Sequence, residues 1–193
     1  MRSRPLLIVL LIAAVLVLAL LIQHRHGILY RLRHHSLVVN TPPRGVLDVG
    51  ERLPAVTFAT LDGSSTAIAA RPGRVLFLDV FTTWCPDCIN ETPALEQLRR
   101  VTSGQPVDIV GLDQQEDPAT INQFIARFGL TYPILIDEDN VTQRSFGVHY
   151  IPVAYVVDSK GVVRGHIIGP QTFDQMKQLV DDVLHARPVG FRS

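Results

Sequence analysis

Residues 75–93 read VLFLDVFTTWCPDCINETP, and no other stretch restricts the fold as strongly. Val75 to Phe81 is apolar at every position except Asp79, the pattern of a β-strand covered on both faces. Cys85 and Cys88, the only two cysteines, follow directly. From Asn90 to Val101, Leu95, Leu98 and Val101 recur at helical spacing, with Arg99 and Arg100 turned outward. The chain therefore passes from strand to helix within a few residues, and the cysteines sit on the turn.

The alternation continues downstream. After a Gly-Gln-Pro break, Val107 to Asp113 reads as a second buried strand. Pro118 to Phe128 places Ile121, Phe124, Ile125 and Phe128 on one helical face, with Asp117 as cap and Pro118 at the first helical position. Ahead of this core, Val56 to Leu61 and Thr66 to Ala69 flank Asp62-Gly63 as a hairpin. Beyond it come a brief strand at Ile134 to Ile136 and a short helix at Val141 to Phe146. A second hairpin follows, Ala154 to Val157 and Val162 to Ile168 around Asp-Ser-Lys-Gly. Thr172 to His185 closes the chain as an amphipathic helix with Phe173, Met176, Leu179, Val180, Val183 and Leu184 inward. Strand followed by helix, repeated, predicts parallel pairing in an α/β sheet.

Length and charge narrow the function. At 193 residues the chain holds one sizeable domain with appendages. Acidic and basic residues balance at 18 each, so the basic footprint of a nucleic-acid partner is missing. A Cys-x-x-Cys bridge closes too short a loop to be a useful structural staple. A thiolate zinc site needs a second ligand pair at the proper spacing, and the sequence has none. The cysteines read best as a redox pair working without metal or cofactor.

The amino terminus carries an unbroken apolar run from Leu6 to Ile22, about 25 Å of helix at ~1.5 Å per residue. It exits through Leu-Ile-Gln-His-Arg-His with no small-residue cleavage pair, which favours an uncleaved signal anchor over a removable signal peptide. Arg2 and Arg4 on one side face Arg25, Arg31 and Arg33 on the other, so charge does not orient the anchor. Export of the carboxyl-terminal domain is inferred from its chemistry and from the short tail before the anchor. His24, His26, His34 and His35 read as linker side chains rather than as a metal patch. The expected division is an anchor at 1–23, a juxtamembrane linker at 24–50, a folded domain at 51–187 and a tail at 188–193.

A Trp-Cys-x-x-Cys motif where a strand passes into a helix resembles the thioredoxin fold. The anchor, the early hairpin, the insertion around Gln114 to Ile136 and the pattern Trp84-Cys85-x-x-Cys88-x-x-Glu91-x-Pro93 more narrowly resemble the TlpA/ResA group of membrane-tethered thiol-disulfide oxidoreductases. The resemblance covers roughly Leu53 to Leu184. It implies a thioredoxin-like α/β fold with an N-terminal β-hairpin and a central αβ insertion, preceded by one transmembrane helix. It also implies a single-pass protein of the inner membrane whose catalytic domain is periplasmic and reduces protein disulfides. Keeping the haem-ligating cysteines of apocytochrome c reduced, with electrons from a membrane donor of the thiol-reducing type, is one such role.

Residue by residue, Cys85 stands where unpaired N–H groups and the helix dipole favour a thiolate, and is expected to attack. Pro86 fits the first turn, whereas the carboxylate of Asp87 opposes the thiolate. Cys88 is expected to resolve the mixed disulfide. Trp84 reads as a flat contact surface for substrate, with core packing as the alternative. Asp79 is costly in an apolar strand unless paired or used. It stands six residues before Cys85, the position of the buried acid of thioredoxins, where TlpA/ResA relatives carry a neutral amide. Glu91 matches the acid placed after the second cysteine in that group. A partly wet strand end for Asp79 and a first-turn dipole partner for Glu91 are the plainer readings. Pro93 would kink the helix. Ile151-Pro152 matches the cis-proline facing the dithiol in thioredoxin folds, which implies that backbone around Ile151 pairs with an extended substrate.

Three rivals stand beside this reading. A thioredoxin-fold copper carrier would use Cys85, Cys88 and His149. A thiol peroxidase of the peroxiredoxin type would use Thr82-x-x-Cys85-Pro86, although Leu78 stands where that family has a proline. The third is a tethered interaction domain with a vestigial site.

Overall fold

Every residue from Val75 to Phe81 is buried, because this strand has neighbours on both edges and a packed layer on each face. The computed structural model describes residues 45–187 and the exposed helical pair Val17–Leu18. Apart from that pair, the predicted anchor, the linker up to residue 44 and the 188–193 tail lie outside the described residues. The chain divides into two units, 1–37 and 38–193, and the sheet with its helices belongs to the second. Among the described residues, no helix is long and apolar enough to cross a membrane.

In chain order the elements are β1 (Val56–Thr60), β2 (Ser65–Ile68), β3 (Val75–Phe81), α1 (Pro86–Val101), β4 (Val107–Gln114), α2 (Pro118–Phe128) and β5 (Ile134–Asp137). A short π-helical turn (Thr142–Phe146), β6 (Val153–Val157), β7 (Val163–Ile168) and α3 (Phe173–Leu184) complete the domain. One seven-stranded sheet runs β2-β1-β5-β4-β3-β6-β7. The pairs β3–β4 and β4–β5 are parallel, while both hairpins, β1–β5 and β3–β6 are antiparallel. The parallel pairing predicted from the strand–helix alternation thus forms the centre of a mixed sheet. This is a thioredoxin-like α/β fold with its early hairpin and its inserted α2 and β5.

Two cores result. Phe77, Phe81 and Ile109 meet Leu95 and Leu98 of α1, Ile121 and Phe124 of α2, and Met176 and Leu179 of α3. On the opposite face Leu76, Leu78, Val80 and Tyr155 pack with Phe58, Phe146 and Leu47. Leu47 is fully buried and its N–H donates to the Phe146 carbonyl. Gly147, at φ +68°, permits this approach, since a Cβ there would collide with the backbone of Gly45. The linker drawn to residue 50 therefore overruns: its last residues are part of the packed domain.

Helix α1 starts at Pro86, earlier than the Asn90 suggested by periodicity, because its first turns bury Cys88, Glu91 and Thr92 rather than aliphatic residues. Cys85 is its N-cap. The expected helix at Val141 to Phe146 is the π-helical turn, held by Asp137, which accepts the N–H groups of Val141 at 2.7 Å and Thr142 at 2.8 Å. Its C-cap, Gly147, adopts a left-handed conformation. The carboxyl ends of β3 and β4 and the start of β6 lie at one end of the sheet, which is where ligand sites of such sheets form.

Candidate active site

Strand β3 delivers Asp79 into the interior, and four residues after its end Cys85 opens α1. The Cys85 Sγ accepts the N–H of Cys88 at 3.4 Å. It lies 3.9 Å from the carbonyl oxygen of Ile151, toward which its S–H donates. The Ile151–Pro152 peptide is cis, and Pro152 leads directly into β6. Both cysteines are free thiols; Cys88 is fully buried, and Cys85 retains a narrow exposed edge. Trp84 is 68% exposed beside it, which removes the core-packing alternative for that residue. Pro86 and Asp87 are also exposed.

Cys88 is a poor acid in this setting. Burial pushes its thiol up, with the Cys85 hydrogen bond and the Cys85 and Asp79 charges acting in the same direction, and the Thr82 backbone opposing. A group able to take its proton is therefore needed before its sulfur can attack. Two buried carboxyls are near: the Asp79 charge acts on the Cys88 thiol, and Glu91, on the same buried stripe of α1 as Cys88, interacts with Asp79.

Asp79 and Glu91 are 4% and 3% exposed. Asp79 lies within β3, in register with Gly111 of β4 and Ala154 of β6, so it is no wet strand end. Glu91 sits in the second turn of α1 and its Oε2 accepts the N–H of Gln171 at 2.9 Å, so it is no first-turn dipole partner. Asp79 Oδ1 and Glu91 Oε1 each lack a hydrogen-bond partner. Burial raises both carboxyls; the Asp79 charge raises Glu91 further, while a hydrogen bond from Glu91 partly offsets the rise at Asp79. One proton shared between them removes a buried like-charge repulsion and supplies the missing donor.

Sequence reasoning missed three participants. Gln171 is buried, and both polar atoms of its side chain lack partners; as a loop residue ahead of α3 it carried no periodic signal. Asp113 is fully buried and Glu116 half-buried, on the strand end and loop that pass beneath Thr83. Asp113 had a signal, since it closes an apolar strand much as Asp79 interrupts one. Glu116 had none, because its partner is Thr83, far away in sequence. His149 is exposed, with Nδ1 3.3 Å from Gln143 Nε2. Among the described residues no three His, Cys, Asp or Glu side chains gather as metal ligands.

A dithiol on a strand-to-helix turn, faced by a cis X-Pro peptide and backed by buried carboxyls, defines a thioredoxin-fold protein for thiol-disulfide exchange. The chain matches the Redoxin family over residues 48–184 and belongs to it. It is 30% identical over 135 residues to the thiol-disulfide oxidoreductase ResA of Geobacillus thermodenitrificans, a match covering 70% of this chain and 78% of that protein. The solved structure of StoA from Bacillus subtilis is 26% identical with a TM-score of 0.57, covering 65% of this chain and 98% of that one. A thioredoxin-family thiol:disulfide interchange protein from Chlorobium tepidum shares the fold at 23% identity and a TM-score of 0.61, covering 76% and 99%. The chain is a thiol-disulfide oxidoreductase of this kind.

Proposed function

We propose that the enzyme works in the reducing direction on protein disulfides outside the cytoplasm, held to the inner membrane by residues 1–23. Cys85 attacks a substrate disulfide; a Cys85–substrate bond forms, and the first substrate thiolate leaves and takes up a proton. Cys88 then gives its proton to the Asp79–Glu91 carboxyl pair and attacks Cys85. The Cys85–Cys88 bond forms and the second substrate thiol departs. Trp84, Pro86 and the backbone of Ile151–Pro152 seat the substrate segment across the attacking sulfur.

The observation that carries the exchange cycle is the geometry of the dithiol: Cys85 keeps an exposed edge at the start of α1, 3.9 Å from the Ile151 carbonyl oxygen, while Cys88 is fully buried and burial pushes its thiol up. The likeness to ResA supports the reducing direction. Each cycle leaves the pair oxidised, so two electrons must return from another dithiol, and a membrane donor of the thiol-reducing type suits an anchored domain. The apolar run from Leu6 to Ile22 supports the anchor, and the likeness to ResA supports apocytochrome c as a substrate. The experiment is a redox titration of the Cys85/Cys88 pair in the full-length chain against glutathione or dithiothreitol. A value near about −270 mV is expected; a value near about −120 mV would make the protein an oxidant and overturn the direction.

A further inference from the structure

A second carboxyl pair holds the turn that leads to the dithiol. Glu116, in the loop after β4, uses both oxygens on one residue: Oε2 accepts the Thr83 N–H at 2.5 Å and Oε1 accepts the Thr83 hydroxyl at 2.6 Å. Thr83 lies two residues before Cys85, in a turn outside any strand or helix. Gln115 adopts φ +67°, a conformation unusual for a residue with a Cβ. This strained residue immediately precedes the one that reaches Thr83. Behind it, Asp113 Oδ1 accepts the Glu116 N–H at 3.0 Å, while Asp113 Oδ2 is buried without a partner.

We infer that Glu116, backed by the buried carboxyl of Asp113, is a positioning residue that holds the Thr83 turn, and with it Cys85, in place for attack. The inference rests on the exchange chemistry proposed above and adds a reason for that turn to be rigid. Two charge-assisted bonds from one carboxylate fix a segment that has no ladder of its own. Asp113 fits this role only in its protonated form, in which the O–H has the Glu116 carboxylate as its acceptor and two negative charges are not pressed together. Burial, followed by Glu116, pushes the Asp113 carboxyl up to about 8, with Asp117 adding to the rise.

The other neighbours leave Asp113 to this pair. Its register partners are Phe81 on β3 and Ile136 on β5. Asp79 stands two positions earlier on β3 and belongs to the first pair, and Asp137 is bound to Val141 and Thr142. The charged side chain of α2 is Arg127, in its last turn and over the Phe128 ring. Above about pH 8 Asp113 therefore ionises against Glu116, and the grip on Thr83 loosens.

The test uses the reduced full-length chain and 5,5′-dithiobis(2-nitrobenzoate), whose first released equivalent reports attack by Cys85. Rates are taken from about pH 6 to 9.5, with thermal unfolding measured alongside. Asp113→Asn keeps an acceptor for the Glu116 N–H and donates to its carboxylate at every pH. Its rate relative to wild type should be near one below about pH 7 and rise several-fold above about pH 8. Glu116→Ala should attack about tenfold more slowly across the range, and Glu116→Gln, which still accepts the Thr83 N–H, should recover part of that loss. A flat Asp113→Asn ratio, or wild-type attack by a folded Glu116→Gln and Glu116→Ala, overturns the inference alone. A wild-type chain that releases no equivalent at any pH overturns the exchange reading and this inference with it.

Discussion

Two carboxyl pairs adjoin one active-site segment and are built differently. Asp79 and Glu91 are both sealed, and of their four oxygens one from each residue has no donor at all. Glu116 is half-open and both its oxygens are occupied by Thr83, with only Asp113 behind it sealed. Raised carboxyls arise in both places from burial. What separates the pairs is Glu116, whose two oxygens are both taken by Thr83, whereas Asp79, Glu91 and Asp113 each keep one oxygen without a partner. Free oxygens beside a thiol that holds its proton can exchange that proton; oxygens tied to a backbone N–H and a hydroxyl can only hold a loop in place. Desolvation alone thus says where a proton is retained, and the pattern of hydrogen bonds says what it is retained for.

The comparison breaks first at the resolving step. Asp79→Asn combined with Glu91→Gln should slow closure of the Cys85–Cys88 disulfide by about 10²-fold, the usual size of a lost acid–base partner. Stopped-flow release of the second equivalent reads this directly. Asp113→Asn should leave the same step within about twofold at neutral pH, so equal losses from both pairs would erase the distinction. The next effect is on stability. A folded carboxyl held at about 8, against an ordinary value of 3.8, keeps a proton that the unfolded chain has lost, so its contribution declines as pH rises from about 4 to 8. Urea unfolding of Asp113→Asn should therefore gain on wild type across that window, by on the order of a few kcal/mol; a constant difference would contradict the assignment.

Two smaller effects sharpen the picture. Gly111 lies in register with Asp79, and a Cβ there would stand 3.1 Å from the Phe81 ring and 3.2 Å from Tyr132. Gly111→Ala should lower stability by about 1–3 kcal/mol in urea unfolding. Trp84→Ala should change stability by less than about 0.5 kcal/mol, because the side chain is exposed. The same variant should slow exchange with a protein disulfide while sparing the small aromatic one; equal slowing of both would place Trp84 in the chemistry rather than in substrate contact.

Much of the fold is legible in the amino-acid sequence. Helix α2 matches its sequence-predicted bounds end to end because Asp117 caps it and Gly129 ends it in a left-handed conformation, both local signals. Strand β3 and its acid were equally plain, since apolar continuity tracks burial. The start of α1 was not, because its first turns bury a thiol, a carboxyl and a hydroxyl in place of aliphatic groups. Nor was Leu47, whose burial depends on Gly147 a hundred residues on. Whether Asp79 was wet or dry hung on β6 and α1 closing over it, and the hold of Glu116 on Thr83 depends on a loop turned by Gln115. Local chemistry writes itself into spacing, whereas pairs made by the tertiary fold do not.

In the proposed cycle the Asp79–Glu91 pair takes the proton of Cys88. The most direct test is the pH profile of the second released equivalent, from about pH 5 to 10, for the full-length wild type and for Asp79→Asn with Glu91→Gln. The wild type should show a limb set by the carboxyl pair, below the range where the buried Cys88 thiol ionises by itself, and the double variant should lose that limb and rise only at high pH. Superimposable profiles would rule out that proton transfer and leave the two acids with a purely structural place in the fold.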